Sequence, residues 1–148
     1  MRNLVRGQPN SYNVSASCRG DLTTFEKTKA KENIKMKQIN VGIIGTGWCG
    51  GIRANTCAAS ALVAELHIAE INEERLKEIG SQTEPTSAST DYQDIITNES
   101  LDTIIISATP ETTHYPMAKE ALLAGKHVFL EKPLALALEE ADELIKIQ

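Results

Sequence analysis

Cysteine is scarce in this chain of 148 residues, and its spacing offers neither a disulfide framework nor a zinc site. The three cysteines, Cys18, Cys49 and Cys57, are odd in number and form no C-x-x-C pair. This usage is typical of free thiols in a reducing cytoplasm. The sequence also lacks an apolar run long enough to cross a bilayer. We therefore predict a cytoplasmic protein with no membrane segment.

The chain is also too short for two ordinary domains, although one domain with a hydrophobic core fits its length. Its composition, 41% hydrophobic and 24% charged residues, is that of a folded protein. The net charge is -5, and the basic residues are concentrated in residues 1–35, where seven Lys and Arg face three Asp and Glu. Because the main body is acidic, we expect no nucleic-acid surface there.

Residues 1–35 show little apolar periodicity and are rich in polar residues. We predict that they form a disordered or non-native extension. One interpretation is a targeting segment, because Arg2, Arg6 and Arg19 precede most of the acids, although those acids spoil the pattern. The other is that translation naturally starts at Met36, which opens a strand at once. The predicted domain is therefore 36–148.

From residue 39 the sequence alternates between short β-branched runs and amphipathic stretches. Strands are predicted at 39–44, 63–70, 86–90, 103–108 and 127–130. Asn72 is the predicted cap of a helix that ends at Gly80, and Gly125 is predicted to end a later one. This order predicts an α/β fold with a doubly wound parallel sheet. His67 is polar where a central strand should be apolar, so we expect the second strand to be less covered.

A glycine loop, "GTGWCG", joins the first strand to the first helix and matches G-x-G-x-x-G. Such a loop places backbone amides and a helix N-terminus against a pyrophosphate, so the whole segment is a candidate cofactor site. Its residues are Gly45, Thr46, Gly47, Trp48, Cys49 and Gly50. We expect Trp48 to be partly exposed near the cofactor rather than in the core. Cys49 is either a small side chain that fills space in the packing or a reactive thiol.

Glu70 follows the second strand, twenty positions after the last glycine of the loop. A carboxylate at this place accepts hydrogen bonds from the ribose hydroxyls of NAD and repels the 2′-phosphate of NADP. Ile71 provides no cation for such a phosphate. We therefore predict NAD in preference to NADP, the alternative being that Glu70 is only a solvated acid.

Residues 39–148 resemble the N-terminal domain of the Gfo/Idh/MocA oxidoreductase family. The resemblance rests on "VGIIGTGWCG", the acid after "ELHIAE", "DTIIISATPETTH" and "ALLAGKHVFLEKPLA", the last being the most specific. It implies a Rossmann-type sheet, here truncated before its last strand. It also implies that Thr109 and Pro110 border the dinucleotide.

The same resemblance implies that the Glu-Lys-Pro segment lies beside the nicotinamide. Lys132 is then the catalytic residue, reaching the substrate hydroxyl and the nicotinamide ribose. Glu131 helps to orient it, and Pro133 fixes the turn. The alternative for Glu131 and Lys132 is an ordinary surface ion pair. His114 is expected to hold its loop, and no histidine has metal-ligand spacing, so we predict no metal.

The family carries a second domain with substrate contacts, which is missing from this sequence. The resemblance therefore implies the dinucleotide-binding fragment of an NAD-dependent oxidoreductase acting on the CH–OH group of a sugar, inositol or related polyol. We expect the chain alone to be catalytically incompetent and oligomerisation to require the missing domain. The alternative is a non-catalytic NAD(P)-binding regulatory or sensor module.

Overall fold

The computed structural model describes residues 36–148, so the predicted extension at 1–35 lies outside the described residues. One parallel sheet runs through this part of the chain, in the order β3-β2-β1-β4-β5. Its strands are β1 (Ile39–Ile44), β2 (Val63–Ala69), β3 (Ser87–Ser89), β4 (Thr103–Ile106) and β5 (His127–Leu130). The predicted Rossmann-type parallel sheet is therefore confirmed.

Four helices lie between successive strands and a fifth follows β5, and together they cover both faces of the sheet. They are α1 (Trp48–Ala58), α2 (Glu73–Thr83), α3 (Gln93–Ile96), α4 (His114–Leu123) and α5 (Leu138–Ile147). Side chains alternate along β1, so Ile43 packs in the core beneath α1 and α2 and Ile44 packs in the core beneath α3 and α4. This double cover explains why the strands read as continuous apolar runs.

Two predicted helix boundaries are confirmed and one is wrong. The side chain of Asn72 accepts a hydrogen bond from the N–H of Arg75 and caps α2. Gly125 follows α4 with φ +74°, in the region where glycine carries no Cβ penalty. Gly80, by contrast, does not end α2, which continues to Thr83 and ends at the left-handed Glu84. A single glycine inside a helix costs only about 1 kcal/mol, too little to stop it here.

The expectation that β2 is less covered is wrong for the second half of the strand, where residues 66–69 are buried, whereas residues 63–65 are half-buried or exposed. β2 lies between β1 and β3, and His67 is buried. Its Nδ1 lies 2.7 Å from the hydroxyl of Ser87 on β3, and its Nε2 lies 3.2 Å from Oε2 of Glu65. A polar residue is therefore accommodated in a central strand because the neighbouring strand supplies a partner.

The last helix, α5, buries only part of its apolar residues. Leu144 is buried in the core beside α4, whereas Leu138 and Ile145 are exposed. Among residues 36–148, no helix has both the length and the apolarity needed to span a membrane.

Candidate functional site

A crevice of about 580 Å³ opens at the carboxyl edge of the sheet, where the strand order reverses between β1 and β4. Ligands of open parallel sheets bind at this switch point. The walls come from the loops after β1, β2 and β4. They include Gly45, Gly47, Glu70, Ile71, Arg75, Ser107, Thr109 and Pro110. The structure thus brings together the glycine loop, the acid after β2 and the Thr-Pro pair.

The glycine loop makes a tight turn that two of its glycines require. Gly45 has φ +81°, and a Cβ there would lie 2.6 Å from backbone atoms of Ala108. A Cβ on Gly50 would lie 1.9 Å from the carbonyl oxygen of Gly45, so α1 packs directly against the turn. Gly47 caps α1 and has open space where a Cβ would be. The loop, which contributes Gly45 and Gly47 to the crevice wall, thereby leads directly into α1.

Thr46 lies beneath the loop rather than on the crevice wall. It is fully buried, and its N–H donates to Oε2 of Glu70 at 2.7 Å. Its hydroxyl donates to the same oxygen at 3.1 Å, and the N–H of Asn72 donates to Oε1 at 3.1 Å. Glu70 is therefore more than a solvated acid, because it braces the loop before any ligand is bound.

Arg75 is a cation beside Glu70 that the sequence analysis missed. Its Nε donates to the carbonyl of Thr46 at 2.7 Å, and its Nη2 donates to that of Gly47 at 3.2 Å. Nη1 lies 2.7 Å from the carboxylate of Glu78. The guanidinium thus donates hydrogen bonds to two carbonyl oxygens of the glycine loop. The sequence contained a signal for this position, because a helix capped by Asn72 has Arg75 as its third residue.

Trp48 and Cys49 form the first turn of α1 and do not contribute to the crevice wall. The side chain of Trp48 is 82% exposed, more than the partial exposure that we expected. Cys49 is half-buried and free. Neither residue packs in a core cluster, so their predicted part in cofactor binding rests on their backbone amides alone.

Glu131 and Lys132 follow β5, two strands away from β1 along the same edge of the sheet. The carboxylate of Glu131 pairs with Arg53 on α1, and Oε2 accepts the N–H of Lys132 at 3.1 Å. The ion partner of Glu131 is therefore Arg53 and not Lys132. The guanidinium of Arg53 also lies 5.2 Å from the centre of the Phe129 ring.

Two donors keep the carboxylate of Glu131 ionised. The N–H of Lys132, together with the nearby charge of Arg53, holds the pKa of Glu131 below its ordinary value of 4.5, against an opposing effect of desolvation. The Lys132 side chain is exposed and makes no ion pair among residues 36–148. Its ammonium is consequently available at this edge of the sheet.

His114 joins the segments that follow β4 and β5. It is buried, with Nε2 2.9 Å from the carbonyl oxygen of Ala108 and Nδ1 2.8 Å from that of Pro133. The residue therefore holds its loop, as the sequence suggested, and it also ties that loop to the Glu-Lys-Pro turn. Within residues 36–148, no group of three or more His, Cys, Asp or Glu is placed to hold a metal.

The family comparison agrees with this geometry. Residues 39–148 match the family model described as an oxidoreductase family with an NAD-binding Rossmann fold. The chain is 35% identical over 123 residues to Glycosyl hydrolase family 109 protein 2 of Shewanella sp. (strain ANA-3), covering 75% of this chain and 26% of that protein. It is 32% identical over 109 residues to the uncharacterized oxidoreductase YrbE of Bacillus subtilis (strain 168), covering 74% and 32%.

Solved structures of similar fold include an inositol dehydrogenase. Scyllo-inositol dehydrogenase from Lactobacillus casei, with bound NAD(H) and scyllo-inositol, superposes with a TM-score of 0.69 at 27% identity, over 75% of this chain and 33% of that one. A 3-ketoreductase from Actinomadura kijaniata in complex with NADP gives 0.66 at 27% identity, over 75% and 35%. The chain thus spans about a third or less of these proteins. It belongs to the Gfo/Idh/MocA oxidoreductase family and comprises its NAD-binding Rossmann domain.

Proposed function

We propose that the chain is the dinucleotide-binding part of an NAD-dependent oxidoreductase that acts on the CH–OH group of a sugar, inositol or related polyol. One observation carries this proposal: an exposed lysine, Lys132, lies at the same sheet edge as a crevice with the features of a dinucleotide site. A binding module without catalysis has no need of an ammonium beside the nicotinamide end.

Residues of the crevice wall and of the start of α1 would contact different parts of the cofactor. The amides of Gly47, Trp48 and Cys49 would hold the pyrophosphate, Glu70 the adenosine ribose, and Thr109 and Pro110 the nicotinamide half. When bound, the cofactor accepts a hydride from the carbon that carries the hydroxyl group. Lys132 would assist the movement of the hydroxyl proton, because its ammonium has no ion partner among the described residues.

NAD is proposed over NADP because of how Glu70 and Arg75 are engaged. The carboxylate stands where a 2′-phosphate would lie, and it would repel that phosphate. Each of the three guanidinium nitrogens of Arg75 already donates to a loop carbonyl or to Glu78. Arg75, the cation in the crevice wall, is thereby held against the loop carbonyls and Glu78, so we propose that the acid determines the preference.

The substrate class rests on similarity and on chemistry. The dehydrogenase noted above binds scyllo-inositol, and another relative is named a glycosyl hydrolase, so both names point to polyols or sugars. The chain spans about a third of these proteins, so we propose that it binds NAD but does not turn over substrate by itself. We propose also that this domain does not oligomerise by itself. The free thiols Cys49 and Cys57 support a cytoplasmic location.

The test is a titration of the 148-residue chain with NADH and then NADPH, followed by energy transfer from its single tryptophan to the reduced nicotinamide. We expect saturable binding, tighter for NADH. Because Trp48 is exposed, the readout is quenching rather than a shift of its emission. Absence of saturable binding to either cofactor would overturn the proposal, and equal affinity for both would overturn the part assigned to Glu70.

A parallel assay addresses catalysis. The chain is incubated with NAD and scyllo-inositol, and NADH formation is measured for the wild type and for Lys132→Met. We expect no specific turnover from either protein. Turnover by the wild type that Lys132→Met abolishes would support the oxidoreductase and refute the incompetence of the chain. Turnover that survives in Lys132→Met would show that this lysine is not the catalytic residue.

A further inference from the structure

Ser107 contains a buried hydroxyl that has no hydrogen-bond partner. The residue is only 8% exposed, and its Oγ is the single buried side-chain polar atom without a partner within residues 36–148. Buried hydroxyls are nearly always satisfied in folded proteins, because leaving one unpaired is costly. Ser107 therefore requires an explanation that the packing of the chain does not supply.

The position of Ser107 connects it to the glycine loop. It directly follows β4, and its own N–H donates to the carbonyl of Ile44 at 2.8 Å. A Cβ on Gly50 would lie 3.3 Å from the Cβ of Ser107, and a Cβ on Gly45 would lie 2.8 Å from its carbonyl carbon. Ser107 also lines the crevice. The unpaired hydroxyl is thus at the junction of the crevice, the loop and the start of α1.

Buried Thr83 shows how a hydroxyl is normally accommodated in this chain. Thr83 is also 8% exposed, and its Oγ1 donates to the carbonyl of Ile79 at 2.8 Å. Ser107 follows a strand instead of lying in a helix, and its Oγ has no such acceptor among residues 36–148. An alanine would fill the same place without the unpaired oxygen, so the serine is suited to a bound ligand.

We propose that the Ser107 hydroxyl donates a hydrogen bond to a phosphate oxygen of the dinucleotide pyrophosphate. The inference rests on the proposed function, since it assigns a further residue to the same site. A phosphate oxygen is the acceptor that the surroundings favour, because Ser107 lies against Gly45 in the loop and against Gly50 in the first turn of α1, at the positive end of that helix. A hydrogen bond to a charged acceptor is stronger than one between neutral groups. Glu70 and Lys132 belong to the adenosine and nicotinamide ends, so neither competes for this hydroxyl.

The experiment compares Ser107→Ala with the wild-type chain in two measurements. The dissociation constants of NADH and of ADP-ribose, which has the pyrophosphate but lacks nicotinamide, are measured by calorimetry. The melting temperature is measured without ligand. We expect both dissociation constants to rise by about tenfold, as for the loss of one charge-assisted hydrogen bond. We expect the melting temperature to rise, because the substitution removes an unpaired buried oxygen.

Thr83→Val is the matched control, because it removes an equally buried hydroxyl that has a partner and lies outside the crevice wall. It should lower the melting temperature and leave both dissociation constants unchanged. Unchanged dissociation constants in Ser107→Ala would overturn the inference. A loss of affinity for NADH alone would also overturn the inference, because it would indicate that the hydroxyl contacts the nicotinamide end and not the pyrophosphate. If the wild type binds neither ligand, the proposed function itself fails, an outcome distinct from a wild type that binds and a variant that binds equally well.

Discussion

The backbone N–H of Thr46 donates to the carboxylate of Glu70 at 2.7 Å, so the acid after β2 fastens the loop after β1. Thr46 is fully buried, and water cannot replace this acceptor. A carboxylate has about four acceptor positions, of which the protein uses three, counting the Thr46 hydroxyl and the N–H of Asn72. Glu70 can therefore support the loop and still accept a ribose hydroxyl.

Replacing Glu70 by alanine should therefore affect stability and cofactor preference together. In Glu70→Ala, two backbone N–H groups lose their acceptor, which should cost about 1–3 kcal/mol of unfolding free energy. We expect NADH affinity to fall by about tenfold and NADPH affinity to fall less, because the repulsion of the 2′-phosphate is removed. Thermal unfolding and titrations with both cofactors test this. Glu74→Gln, an exposed acid in the first turn of α2, is the control. An unchanged ratio of the two affinities would contradict the assignment.

Three glycine-to-alanine variants separate folding from binding. In Gly50→Ala the new methyl group would overlap the carbonyl oxygen of Gly45, so we expect a large loss of stability. In Gly47→Ala the methyl group has open space, so the fold should be preserved and only NADH binding should weaken. Gly80→Ala is the control: it has no neighbour within 4 Å, lies inside α2, and should stabilise the chain by about 0.5–1 kcal/mol. Melting temperatures and NADH titrations distinguish the three. Normal binding by Gly47→Ala would show that no phosphate approaches Gly47.

The lowered pKa of Glu131, which results first from the N–H of Lys132 and then from Arg53, should make stability depend on pH on the acid side. Because the pKa of Glu131 is lowered in the folded chain, its contribution is present above about pH 4.5 and is lost as the pH falls through the lower folded value. The difference in melting temperature between the wild type and Glu131→Gln should therefore be positive at neutral pH and shrink below pH 4.5. Glu139→Gln, an exposed acid on α5, is the control. A difference in melting temperature that stays constant across this pH range would show that the contribution of Glu131 to stability does not depend on its charge.

The strands and the glycine loop could be predicted because their signals are local. β-branched runs and the spacing of Gly45, Gly47 and Gly50 are visible within a few residues, and each appears at the predicted place. Arg53 and Glu131 are 78 positions apart, and their contact depends on the order of the strands, which no local pattern contains. Ser107 could not be predicted for a different reason. In an apolar strand it looks like an ordinary small residue, and only the missing hydrogen-bond partner of its hydroxyl in the structure distinguishes it.

Arg75 provides a last test, because it holds the carbonyls of the loop whose amides would bind phosphate. In Arg75→Met the carbonyls of Thr46 and Gly47 lose the hydrogen bonds from the guanidinium, although that of Gly47 keeps the N–H of Gly51, and the loop should be held less firmly. We expect NADH affinity to fall by about tenfold, with partial recovery in Arg75→Lys, which restores one donor but not the fork.

Lys77→Met is the matched control for Arg75→Met, because Lys77 lies on the same helix and is largely exposed. Surface pairs such as Lys77 with Glu73 contribute little, so its loss should change neither affinity nor melting temperature. Isothermal titration with NADH and ADP-ribose should show the same loss for both ligands in Arg75→Met, since both have the pyrophosphate. If Arg75→Met instead bound NADH and ADP-ribose as tightly as the wild type, the guanidinium would not be needed to hold the loop for binding. Its hydrogen bonds to Thr46 and Gly47 would then be incidental to binding.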